Sequence, residues 1–163
     1  MSDLMFPVVE AVLRDERDLV ALAFENVRSQ GADRIFDVQF RVRQGPEAAP
    51  EPFLCATAHR EPAVALSSLL DDLGRAVVGE ISALRHDPVA DGVSIELKAG
   101  GLAGEGGYQV VVWLDLCRVS PATRARATRG RHQSGLRFFT TRDRLEDFRA
   151  QLAQLVEGGP SIQ

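Results

Sequence analysis

Arg34 to Arg43 alternates without a break. Phe36, Val38, Phe40 and Val42 fall on one side of an extended chain, and Asp37, Gln39, Arg41 and Arg43 fall on the other. Successive side chains of a strand point to opposite faces, so this period of two predicts a β-strand with one buried and one polar face. Such a strand needs partner strands beside it and a layer over its apolar side.

The chain supplies both. Leu19 to Val27 and Phe53 to His59 read as strands flanking the first, with a hairpin turn at Gly31 and a Pro-rich loop at Gly45–Pro52. Val8–Leu13 fits a short strand or a helical turn about equally. The period then changes. Leu66, Leu69, Leu70, Leu73, Val77, Ile81 and Leu84 follow helical spacing, with Pro62 suited to the first turn and Asp87-Pro88 ending the run. Gly74 and Gly79 weaken such a helix by about 1 kcal/mol each relative to alanine.

Alternation returns at Val93, Ile95 and Leu97, then at Tyr108, Val110, Val112, Leu114 and Leu116, across a glycine-rich hairpin loop at Gly100–Gly107. Gly135 to Thr140 reads as a further strand. A closing helix follows, with Thr141 as N-cap, Leu145, Phe148, Leu152 and Leu155 on its stripe, and Gly158-Gly159-Pro160 as its stop. No repeat is visible. The order β-β-β-α-β-β-β-α predicts an α+β domain: a single antiparallel sheet of about six strands with two helices on one face. One domain over residues 1–163 is expected, with an Arg-rich loop at 118–134 inside it. A chain of 163 residues with 45% hydrophobic content buries enough core to need no staple.

Several function classes are disfavoured by what the chain lacks. Two cysteines, Cys55 and Cys117, form no disulfide framework and read as core thiols or a single bridge. His59, His86 and His132 are scattered, so neither a metal site nor a cofactor is expected. His86-Asp87 reads as helix-end capping. No signal peptide or transmembrane run is recognised, which makes a cytoplasmic location the expectation. Gly100–Gly107 precedes a strand, so the helix-terminus mechanism of a phosphate loop is missing. Asp71-Asp72 diverge on a helix and read as a solvated face. No catalytic signature is present, and a non-enzymatic role is expected.

Charge is the informative part. The net charge is −4, carried by 19 basic and 23 acidic residues, and all but one of the basic residues, Lys98, are arginine. Residues 1–117 are net −9, residues 118–141 are +6 and the remainder is −1. The positive stretch holds Arg118, Arg124, Arg126, Arg129, Arg131 and Arg137 without one acid. Arginine suits bidentate contact with carboxylate or phosphate. The stretch is therefore either a solvated loop balancing an acidic body, or a surface for a protein partner or a phosphate backbone. Its lack of interleaved aromatics argues against single-strand binding by the loop alone.

Trp113, the single tryptophan, alternates out of phase with Val110, Val112 and Leu114. It is expected on the open side of the sheet with Asp37, Gln39, Arg41 and Glu96, where an aromatic amid charges resembles an interface hot spot.

The stretches RIFDVQFRV at Arg34–Val42, GGYQVVVWLDL at Gly106–Leu116 and GLRFFTTRDRLEDFRAQLAQL at Gly135–Leu155, with the central helix, resemble the WapI-type immunity proteins of bacterial polymorphic toxin systems. The chain departs from them at Thr141-Arg142-Asp143, where the family tends to an acidic turn, and in its long Arg-rich loop. The resemblance implies a curved antiparallel sheet with helices on one side and a protein that neutralises a bacterial toxin by occlusion. Partner-binding residues would then be Trp113, Asp37, Gln39 and Glu96, with Arg124, Arg126, Arg129 and Arg131 as a second surface. A nucleic-acid or phosphate-binding role for the Arg-rich loop is the alternative, and an enzyme of unrecognised class the third.

Overall fold

A computed structural model describes residues 8–88, 93–100, 106–115 and 133–158. Among these the chain runs β1 (Glu10–Arg14), β2 (Val20–Gln30), β3 (Asp33–Val42), β4 (Glu51–Pro62), α1 (Ala63–Val77), β5 (Ala83–His86), β6 (Val93–Ala99), β7 (Gly107–Asp115), β8 (Gln133–Thr141) and α2 (Arg142–Gly158). The α+β class and the two helices stand as expected. The single sheet does not: β1-β2-β3-β4 form one antiparallel meander and β5-β6-β7-β8 a second. Four strands and a helix therefore occur twice in succession.

The physical reason lies at the two junctions. β4 runs directly into α1 at Pro62, so the chain leaves the first sheet at its edge and never returns to pair there. The period of α1 also stops earlier than Ile81 and Leu84 suggested. Gly79, at φ +82°, donates to the Ala76 carbonyl at 3.1 Å, and Glu80 donates to that of Arg75 at 2.9 Å. These two bonds make a Schellman stop, which an L-residue at position 79 resists. Leu84 then enters β5 and pairs with Leu97. Gly79→Ala is expected to cost about 1–2 kcal/mol, read as a lowered urea midpoint with an unchanged m-value.

At the other helix the expected cap is present: the Arg144 amide donates to Thr141 Oγ1 at 3.3 Å. Apolar residues of both sheets and both helices merge into one core, including Phe24, Phe36, Phe40, Val110, Val112 and Phe148. Polar bonds tie the halves together. The Glu16 amide donates to the Phe139 carbonyl at 2.8 Å, Thr140 Oγ1 donates to the Arg14 carbonyl at 2.7 Å, and Tyr108 Oη donates to the Ala76 carbonyl at 3.1 Å. No helix among the described residues is long and apolar enough to cross a membrane.

Candidate functional site

Each sheet turns its apolar side to the common core and leaves an outer face, and the two outer faces differ in chemistry. On the first, Glu10, Glu25, Gln39 and Arg41 form a closed network. Arg41 Nη2 pairs with Glu10 Oε2 at 2.6 Å and with Glu25 Oε2 at 3.5 Å. Its Nε donates to Gln39 Oε1 at 2.9 Å, and Gln39 Nε2 donates to Glu25 Oε1 at 2.6 Å. The hydrogen bond from Arg41 holds the Glu10 carboxyl below the usual carboxylate range against the opposing effect of burial. Burial, and then Glu25, push the neighbouring Cys55 thiol up.

Asp37 is also occupied. It accepts from Asn26 Nδ2 and from the Ala58 amide, each at 2.8 Å. Asn26 and Ala58 both have positive φ, at 54° and 55°, and lie where the strand register shifts, so Asp37 holds two irregular strand positions in place. Asp37 and Gln39 therefore serve the first sheet internally. They do not share a surface with Trp113 and Glu96, as a single sheet would have required.

The outer face of the second sheet is different. One row across it reads Arg85, Glu96, Val111, Arg137, the next reads Ala83, Lys98, Gln109, Phe139, and a third reads Ser94, Trp113, Gly135. Trp113 is 38% exposed. A Cβ added at Gly135 would stand 2.6 Å from Cε3 and Cζ3 of the indole, so the six-membered ring packs closely against the bare glycine backbone.

Beside this ring, Ala83, Arg85, Glu96, Lys98, Gln109 and Val111 line an open groove of about 500 Å³. Arg85 is fixed from two sides. Its Nε donates to Asp87 Oδ2 at 2.9 Å, and its Nη1 pairs with Glu96 Oε1 at 2.9 Å. Among the described residues Lys98 and Arg137 make no ion pair. Sequence reasoning found Trp113 and Glu96 by parity. It missed Arg85, because β5 was read as helix, and it did not group Lys98 and Gln109 with them, although both share the parity of Glu96 and Trp113 on their own strands.

Arg124, Arg126, Arg129 and Arg131 lie outside the described residues, as does Cys117. Their chain segment joins β7 to β8, leaving at Asp115 and returning at Gln133, two register pairs beyond Trp113 and Gly135.

A second cluster, unseen in the sequence, lies at the seam between the sheets. Glu61 of β4 is buried, and its Oε1 is 2.8 Å from Nε2 of His86 in β5. His59 is buried beside it, with Nε2 at 4.0 Å from Glu61 Oε2 and its ring edge-on to Phe36 at 4.8 Å. The capping role expected for His86-Asp87 is thus corrected: His86 sits in a strand and faces Glu61, while Asp87 holds Arg85. Among the described residues no group of three or more His, Cys, Asp or Glu is arranged to hold a metal ion.

No family model and no curated protein matches the chain. Solved structures similar to it include the MRP1/MRP2 proteins of Trypanosoma brucei, with a TM-score of 0.48, 9% identity, 94% of this chain covered and 86% of that one. Another is a guide-RNA-binding protein complex bound to a guide RNA, with a TM-score of 0.49, 9% identity and coverage of 94% and 92%. The expectation of a toxin-neutralising immunity protein is overturned. Neither similar structure is of an immunity protein, and the second is of a guide-RNA-binding protein complex. The single curved sheet that the resemblance implied is replaced by two four-stranded sheets.

Proposed function

We propose that this chain is a non-catalytic domain that binds single-stranded nucleic acid on the outer face of its second sheet. One observation carries the reading: an outer sheet face that presents Trp113 together with Lys98 and Arg137, neither of which forms an ion pair among the described residues. A flat face with a bare aromatic ring takes an unpaired base by stacking, while cations around it track the backbone phosphates. Bases inside a duplex are already stacked on their neighbours and do not offer that surface. The first sheet's face, where Glu10 and Glu25 pair with Arg41 and Asp37 lies beside them on the same strand face, repels a polyanion.

The net charge of −4 does not oppose this reading, because screening over about 8–10 Å makes the local patch decide. The Arg-rich connector joins β7 to β8 in sequence, at the end of the strands where Trp113 lies. It is the lack of aromatics in that connector that the sheet makes good.

The test uses the single tryptophan, whose fluorescence reports on Trp113 alone. Titration with single-stranded oligonucleotides at several salt concentrations is expected to give saturable quenching. Log affinity should fall against log salt with a slope of about −0.7 per phosphate neutralised, and matched duplexes should bind more weakly. Replacing Arg124, Arg126, Arg129 and Arg131 by alanine is expected to flatten the slope. Affinity that ignores salt, or the absence of binding, overturns the proposal.

A further inference from the structure

A small cleft lies where the outer strand of the first sheet meets the last helix, and we propose that it holds one phosphate group, free or carried by an organic monoester. None of its residues belongs to the face proposed for nucleic acid, so the inference stands apart from that reading. Glu10, Val12 and Arg14 of β1 and Arg144, Asp147 and Gln151 of α2 line about 170 Å³. Pockets that bury drug-sized ligands run to roughly 300–1,000 Å³, so this one suits a single small group.

The fold sets the donors. The Val12 amide, on the outer strand of its sheet, donates to Gln151 Oε1 at 2.9 Å. That bond decides which way round the Gln151 carboxamide lies. With the oxygen committed to β1, the remaining polar end is Nε2, a donor with no acceptor among the described residues. Arg14 and Arg144 supply the charge. Both converge on Asp18, at 3.7 Å and 3.8 Å, and Arg43 reaches the same carboxylate at 3.2 Å. A charge-assisted hydrogen bond is about 2.7–2.9 Å long. Asp18 therefore gathers three guanidiniums without consuming their donors, and two of the three border the cleft. Phosphate oxygens fit such forked donors in pairs.

The acids of the cleft define which anion enters. Glu10 is already taken by Arg41 at 2.6 Å. Asp147 forms no ion pair among the described residues, and it opposes a second negative group. Two cations and a carboxamide donor against one open carboxylate favour a single phosphate over a polyphosphate or a phosphodiester chain.

The test is isothermal titration calorimetry of the full chain in a phosphate-free buffer at fixed chloride, with inorganic phosphate, ribose 5-phosphate and pyrophosphate as probes. Saturable binding of a monophosphate is expected, with pyrophosphate weaker. Tighter ribose 5-phosphate assigns the site to a monoester, and tighter inorganic phosphate assigns it to the free ion. Gln151→Glu keeps the acceptor for the Val12 amide and puts a carboxylate oxygen where the donor was. Its thermal stability should hold while affinity falls about ten-fold or more, the loss of a hydrogen bond to a charged group. Arg144→Ala, whose guanidinium lies outside the core, should lose as much. Asp147→Asn should bind more tightly than the parent chain.

Absence of saturable binding by every probe overturns the proposal. So does an affinity that Gln151→Glu and Arg144→Ala both leave unchanged, because the anion then sits elsewhere. Pyrophosphate bound more tightly than either monophosphate overturns the assignment to a single group.

Discussion

Replacing Glu61 by alanine is expected to cost about 3 kcal/mol of stability, more than any change on the outer faces. Glu61 is buried where the edge of the first sheet meets the first strand of the second, and it bonds His86 across that seam at 2.8 Å. Removal leaves the His86 ring nitrogen without its partner, at about 1–3 kcal/mol for a polar group so enclosed. It also opens a void beside His59, and lost methylenes with a residual cavity add about 1–2 kcal/mol.

Glu61→Gln keeps the volume and a polar contact, so its loss should be smaller by at least half. Urea denaturation followed by circular dichroism measures both. If alanine and glutamine both leave the midpoint where it is in the parent chain, the seam does not hold the halves together. Because the two sheets share no strand pairing, few other polar contacts join β4 to β5, and this one is correspondingly exposed to mutation.

Trp113→Ala is expected to weaken binding of single-stranded nucleic acid by about ten- to a hundred-fold, since stacking on one aromatic contributes about 1–3 kcal/mol per base. Trp113→Phe should retain most of the affinity. Stability should change little, because the ring lies over the sheet outside the core. Gly135→Ala gives an independent arm. Its new Cβ occupies space now held by the indole, 2.6 Å from Cε3, so the ring must lift away from β8. Affinity is expected to drop with the tryptophan still present, and the emission of the free protein should shift to the red. A Gly135→Ala variant that binds as tightly as the parent chain would show that ring placement is immaterial.

Much of the local structure was legible in the sequence, for physical reasons. Phe36, Val38 and Phe40 alternate because one face of β3 must be dry, and a period of two has no helical reading. Thr141 caps α2 because its hydroxyl reaches the third amide beyond it, a bond made within one turn. The parity argument that put Trp113 and Glu96 on an outer face held for the same reason.

The errors share a cause. Ile81 and Leu84 fit the stripe of α1 as well as Leu73 does, and only the left-handed Gly79, with its two carbonyl bonds, decides that the helix has ended. Reading β5 as helix hid Arg85, and with it the groove. Glu61, His59 and His86 carry no spacing that links them, because β4 and β5 approach only after α1 has crossed between them.

The sequence by itself determined which residues form strands and helices, which sides of them are apolar, and where the positive charge is concentrated. These follow from periodicity and composition, which act over a few residues. Only the tertiary structure decided that the strands close as two sheets, that Asp37 and Gln39 sit on one face and Trp113 and Glu96 on another, and that a bare glycine lies under the indole. Those outcomes depend on which strand edges meet, and pairing between distant segments is fixed by the packing of the whole core.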